Sequence, residues 1–402
     1  MKHILNPIFL VILLVFSIKE TIAQESFISP NQFTKGSQIE RIQFAIDSAV
    51  KTTGKVVIPR YDAVRKTDVW LIDKAILLPG NIELELSNCY IKLSDKCRDN
   101  FIRTANAGLG ISDIKPLENI KIIGKGNVLL EGANNPRSTG DHNKVLSKNP
   151  SKGFTHSYGS DAGKSGENQK GGWRNHAIIL AHVKGFEISG ITLKDYHAHG
   201  IVLERAQNGV VRDIAFQVRQ AINIEGQDKL VLNQDGLGIR FGCKNIIIEH
   251  CTGRSGDDFI NIGLTDTGLA AGEENMNVVS GSIYRGAVDN IENIYLRNWQ
   301  DFYSISHRAI RIMPVGKLRI KNVFIENMIM NKASKQGLVV EHTSNIKRLT
   351  VRNMVTYLPI QAAGIQQASF RDIYYLGNQQ PIDVQPGPSV VVDNVIAVNP
   401  EN

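Results

Sequence analysis

The chain has 402 residues, of which 42% are hydrophobic and 21% charged, with a net charge of +7 and a pI near 9.1. Those proportions exclude a disordered chain and belong to a soluble globular protein of one large domain or two ordinary ones. The basic balance suits an anionic partner such as nucleic acid, a membrane surface or an acidic polysaccharide, and because the Lys and Arg residues are scattered rather than grouped in runs, nucleic acid is the weakest of these.

At the N-terminus, Lys2 and His3 precede an apolar core from Ile8 to Ile18, and Thr21-Ile22-Ala23 offers a small-residue cleavage site. This pattern predicts a signal peptide over residues 1–23 and a secreted or periplasmic mature chain from Gln24 onward. No later stretch reaches membrane-spanning length, so no membrane insertion is expected. Ser37 to Thr52 is the clearest helix: Ile39, Ile42, Ile46, Ala49 and Val50 recur at helical spacing, Ser37 with Glu40 has the capping-box pattern, and Gly54 ends it. An amphipathic helix just before a series of strands fits a cap over the open end of a solenoid.

From Lys55 the pattern turns to short strands: Val56–Ile58, Ile76–Leu78, Ile82–Leu86, Ile91–Leu93, Asn119–Ile123 and Val128–Leu130. Gly132 to Asn175 is a polar run rich in Gly, Ser, Asn and Lys, expected to be one long excursion from a coil, with Asp161 and Glu167 on it. From Ile178 onward the chain repeats. One register aligns the pentapeptides that begin at His199, Asp235, Asp258, Arg308 and Gln336, and a second strand pattern follows most of them, as in Asn208–Phe216, Asn245–Glu249, Ile291–Asn298, Leu318–Asn327 and Asn345–Asn353. Two strand motifs per imperfect repeat of roughly twenty to thirty residues predict an all-β fold, a parallel β-helix, filling residues 24–402 as a single domain.

Within each pentapeptide the third and fifth residues are apolar, so alternation turns them inward and exposes the second and fourth: Gly236 and Gly238, Phe259 and Asn261, Ala309 and Arg311. The first residues form a polar column along the turn. The two glycines leave room for a linear polymer to lie flat on the sheet. The column carries Asp235 and Asp258, with Asp257 adjacent, and one coil raises the chain by about 4.8 Å. Asp235 alone reads as a turn residue, since Asp is common in turns. Three carboxylates at this spacing point to chemistry, because crowding splits their proton affinities as acid–base cleavage of a glycosidic bond requires. Cys89, Cys97, Cys243 and Cys251 show no metal-binding spacing and read as buried thiols stacked in coils.

Asn233-Gln234-Asp235-Gly236 and Gly256-Asp257-Asp258, with their separation, resemble the two signatures of family 28 glycoside hydrolases, the polygalacturonases and their relatives in the pectin-lyase-like right-handed β-helix superfamily. The resemblance implies an inverting glycosidase without cofactor or metal, acting as a monomer on a polysaccharide or oligosaccharide. It implies Asp257 as general acid and Asp235 with Asp258 as the groups that activate water. Arg311-Ile312-Met313 matches the family's Arg-Ile-Lys motif in part, the lysine being absent. Asn233, Asn261, Arg308, Arg311, His199 and His307 are the expected substrate-binding residues. The family's Gly-His-Gly motif should lie on the coil after Asp258, where Asn275–Ser282 has no histidine; His199, His307, Tyr284 and Arg285 are the substitutes at hand. Two other functions suit the same scaffold. A lyase or epimerase would use Arg285, Arg308 or Lys317 as base and the Asp cluster to bind Ca²⁺; a non-catalytic carbohydrate-binding solenoid would use the groove alone.

Overall fold

Short strands that alternate apolar and polar side chains bury their apolar faces by stacking on one another. The computed structural model describes residues 27–97, 99–107, 114–134, 176–196, 199–219, 221–224, 227–230, 234–263, 289–301, 308–314, 316–330, 336–362, 364–384 and 389–398. They form a right-handed parallel β-helix. One wall is a sheet of ten short parallel strands, among them Ile178–Ala181, Ile201–Glu204, Leu237–Ile239, Ile260–Ile262, Arg308–Ile312 and Gln336–Val340 in that spatial order. The rest of each coil belongs to a fifteen-stranded sheet built mostly from longer strands such as Gln207–Gln217, Ile291–Asp301, Ile320–Met330 and Ile346–Thr356.

The register of the short strands is the one the repeats imply. Ile201, Leu237, Ile260, Ile310 and Leu338 are successive partners across five coils, and all five are buried in one continuous aliphatic core. The stacking of the first pentapeptide positions follows from backbone bonds between coils: Gly200 N–H donates to Asp235 O, Gly236 N–H to Asp258 O, and Phe259 N–H to Arg308 O, at 2.9, 3.1 and 3.0 Å.

The long strands bend where single residues take the left-handed conformation. Asn208, Asn245, Asn293 and Asn322 form one such column, with φ between 54° and 57°, and Asn298, Asn327 and Asn353 form another, with φ between 52° and 54°. Asn tolerates this conformation better than other side chains bearing a Cβ. Its amide also both donates and accepts, so the columns become ladders: Asn245 donates to Asn208, Asn293 to Asn245 and Asn322 to Asn293, at 2.8, 2.7 and 2.7 Å.

The helix runs from Gln38 to Ala49 with both capping-box bonds made between Ser37 and Glu40. It lays Ile39, Ile42, Ala45, Ile46 and Ala49 on the end of the core. Cys89, Cys243 and Cys251 are buried free thiols, and Cys97 is half-buried. An antiparallel pair, Ala221–Ile224 with Gln227–Leu230, interrupts the parallel pattern ahead of Asp235, a feature the repeat does not foreshadow. The expected leader, most of Gly132–Asn175 with Asp161 and Glu167, and the segment holding Asn275–Ser282, Tyr284 and Arg285 lie outside the described residues. Among the described residues, no helix is long and apolar enough to cross a membrane.

Candidate active site

Because the short strands stack in register, residues 23 positions apart in the sequence become neighbours. Asp235 and Asp258 sit at the same turn of successive coils and are 3% and 2% exposed, whereas Asp257 is half-buried. The main chain fixes their relation. Gln234 O accepts from Gly256 N–H at 2.9 Å and Asp257 N–H at 3.3 Å, while the buried Gln234 side chain donates to Tyr196 O at 2.8 Å.

The next coil adds two cations. Arg308 Nη1 lies 3.4 Å from Asp258 Oδ1, and Arg311 Nη1 lies 3.9 Å from Asp258 Oδ2. Arg311 also donates to Glu341 at 2.7 Å, and its Nη2 is 3.0 Å from Met313 Sδ, the residue standing where the family motif has lysine. The strand that stacks directly on Ile260–Ile262 is Arg308–Ile312, as the register of the pentapeptides implies, while Asn275–Ser282 lies outside the described residues. In the coil where the resemblance puts a histidine, this chain therefore presents Arg308.

On the preceding coil His199 Nε2 lies 3.2 Å from Asp235 Oδ2. Asn261 Nδ2 donates to the same oxygen. Arg240, which the sequence reading passed over, joins these groups: its Nη1 donates to Asn261 Oδ1 at 2.5 Å and its Nη2 meets His199 Nε2 at 2.7 Å. His176 lies behind, its Nδ1 accepting from His199 N–H at 3.1 Å. A signal for Arg240 was present in the sequence. It follows Gly238 by two residues, so strand alternation puts it on the same face, beside a position with no side chain.

Two expectations are corrected here. Gly236 and Gly238 do not leave a flat open floor. A Cβ at Gly236 would come within 2.5 Å of Phe259 O, and the space over Gly238 is filled by Arg240, Asn261 and His199. Phe259 does not face outward. It packs in the core against Phe216 and Trp299, with ring centroids 5.7 and 4.9 Å away, because it precedes the strand Ile260–Ile262 and escapes its alternation. Ala309 is buried in the same core. Asn261 and Arg311 do share the outer side of the strands, as partners across coils, but Asn261 is fully buried there rather than exposed. Asn233 and His307 lie outside the described residues.

The electrostatics follow from burial. Asp258 is pushed up to about 8, by burial first and then by the charges of Asp235 and Asp257, against the pull of Arg311 and Arg308. Asp235 is held well above the usual carboxylate range by burial and then by Asp257, against Arg240, the Asn261 hydrogen bond and Arg311. Burial above all drives His176 well below the usual imidazole value, so it stays neutral. Near neutral pH such a cluster retains a proton that isolated carboxylates would have lost, which gives it both a donor and acceptors.

A model of glycosyl hydrolase family 28 matches residues 115–369, more than half of the chain and all of this site. The chain belongs to glycosyl hydrolase family 28. This family 28 protein is therefore a glycosidase. A search of curated proteins finds no match. Among solved structures, it is similar to the polygalacturonase of Erwinia carotovora ssp. carotovora, with 14% identity over 93% of each chain and a TM-score of 0.56. It is also similar to the family 28 exopolygalacturonase of Yersinia enterocolitica, with 15% identity over 92% of this chain and 78% of that one and a TM-score of 0.51. The surface adhesin PfbA of Streptococcus pneumoniae shares the fold as well, with 13% identity over 92% and 97% and a TM-score of 0.56. At these identities the likeness is one of fold alone.

Proposed function

We propose that this family 28 glycosidase is exported and cleaves an acidic, pectin-like plant or algal polysaccharide with inversion. Asp257, the most exposed of the three carboxyls, is the general acid that protonates the leaving oxygen, and Asp235 with Asp258 hold and deprotonate the attacking water. The observation that carries the reading is the stacking of two nearly inaccessible carboxyls, Asp235 and Asp258, on successive coils beside Asp257. Burying like charges together costs several kcal/mol unless protons or cations relieve them, which supports the reading of this cluster as a functional site. Arg308 and Arg311 at its rim suit a substrate carboxylate, since guanidinium pairs with carboxylate in a fork. The net charge of +7 favours approach of a polyanion. Membership of family 28 supports a pectin-like substrate, and two neighbours of like fold are named polygalacturonases.

The test is a screen of the purified mature chain on plant and algal polysaccharides, following reducing ends and near-ultraviolet absorbance together. Reducing ends without absorbance are the expected result. Both signals rising would show β-elimination and overturn the hydrolytic reading, and binding without either signal would make the protein a carbohydrate-binding solenoid.

A further inference from the structure

Arg240 is 3% exposed, and the groups it touches, His199 and Asn261, are 8% and 0% exposed. An arginine has five donors and no acceptor. Whatever it bonds must therefore accept, and this settles the orientation of both neighbours. Asn261 must turn Oδ1 toward Arg240 Nη1, which aims its Nδ2 at Asp235 Oδ2. His199 must offer Arg240 Nη2 the lone pair of Nε2, so its ring carries hydrogen on Nδ1 only. A protonated Nε2 would set N–H against N–H at 2.7 Å, so His199 is not an imidazolium.

The consequence falls on Asp235. Its Oδ2 is 3.2 Å from His199 Nε2, a nitrogen that has no hydrogen to give. An ionised Oδ2 would face that nitrogen with no hydrogen between them, whereas a protonated Oδ2 shares the Nε2 lone pair with Arg240 Nη2 in a three-centre arrangement, as the longer partner. We propose that Arg240 is a positioning residue which fixes His199 as an acceptor and Asn261 as a donor, so that the resting cluster keeps its proton on Asp235 Oδ2. The charge of Arg240 favours ionised Asp235, as does that of Arg311, but burial and the charge of Asp257 act the other way and are the larger influences. Tyr196, also buried, has its phenol held well above its usual value by burial above all, so it brings no second anion to the site. His176 is neutral.

This inference rests on the hydrolytic reading for its catalytic meaning and narrows it. With Asp235 neutral, Asp258 loses one of the two negative charges that push it up while keeping Arg311 and Arg308 beside it. Asp258 is then the carboxylate that takes the proton from water, and Asp235 orients that water.

The experiment uses the full chain with ¹⁵N-labelled histidine. Long-range ¹H–¹⁵N correlation spectra at pH 7, with His199 assigned by its loss in His199→Asn, report which ring nitrogen carries hydrogen. The neutral Nδ1–H form in the wild type, lost in Arg240→Met and restored by Arg240→Lys, is the expected result. An Nε2–H or doubly protonated His199 in the wild type overturns the proposal, even if Arg240→Met does not fold. On a substrate found by the screen, Arg240→Met lowers kcat about 100-fold with little change in KM, as misplaced catalytic groups do; an equal loss confined to KM also overturns it. Failure of every substrate in the screen would refute the hydrolytic reading while leaving the histidine spectrum to decide the hydrogen-bond arrangement.

Discussion

In the proposed reading Asp235 is the residue on which the site turns, and its proton affinity also bears on stability. In the unfolded chain an aspartate titrates near 4, and in the fold this one titrates well above that, by burial first and by Asp257 next. A raised folded value means that the stabilisation is fully present below about pH 4 and is lost as pH rises through the folded value. Asp235→Asn imitates the uncharged acid in having no charge to bury, although one amide atom cannot replace Oδ2 toward both His199 Nε2 and Asn261 Nδ2, which meet that same oxygen. The variant has no proton to lose, so its Tm, relative to wild type, is expected to increase steadily between pH 5 and pH 8. Thermal unfolding of both proteins across that range measures this, and a difference that does not vary with pH would show that Asp235 is already ionised at pH 5.

At the scale of the coil, the corner asparagines do as much as the strands. Asn293 has φ of 57°, donates to Asn245 and accepts from Asn322, so it serves both the bend and the ladder. Asn293→Ala loses two hydrogen bonds and sets a Cβ without polar compensation in a left-handed conformation, a cost of about 2–3 kcal/mol. Asn293→Gly removes the strain and loses only the bonds, so urea unfolding should rank the variants wild type, Gly, Ala; Ala more stable than Gly would refute the conformational part of this explanation. The sequence made the coils legible because aliphatic pairs such as Ile260 and Ile262 recur in a fixed register with Leu237 and Ile239. It also showed Asp235, Asp257 and Asp258 as a group, since their spacing equals one coil. It concealed what depends on contact between coils rather than on period: Phe259 turning into the core from a turn, and Arg240 folding over Gly238 to reach His199, 41 residues earlier in the chain. The direct stacking of Ile260–Ile262 on Arg308–Ile312 was legible despite the nearly fifty residues between them, because both pentapeptides keep the same apolar register.

Over the whole molecule, the solenoid turns a one-dimensional repeat into a rigid wall on which groups from four coils meet. His199, Asp235, Asp258 and Arg308 come from successive coils, and no single coil holds the machinery. The helix Gln38–Ala49 closes one end of the core, so the stack begins from a sealed layer. The same fold in a family 28 exopolygalacturonase, a polygalacturonase and a streptococcal adhesin shows that the scaffold alone does not dictate function; in the proposed reading the carboxyl cluster does. The measurement that tests this most directly is the anomeric configuration of the first-formed product, followed by ¹H NMR during early turnover by the wild type and by Asp257→Asn. The carboxyl assignment predicts a product whose anomeric configuration is opposite to that of the cleaved bond, with turnover lost in the variant. A product of retained configuration, or undiminished turnover by Asp257→Asn, would contradict it.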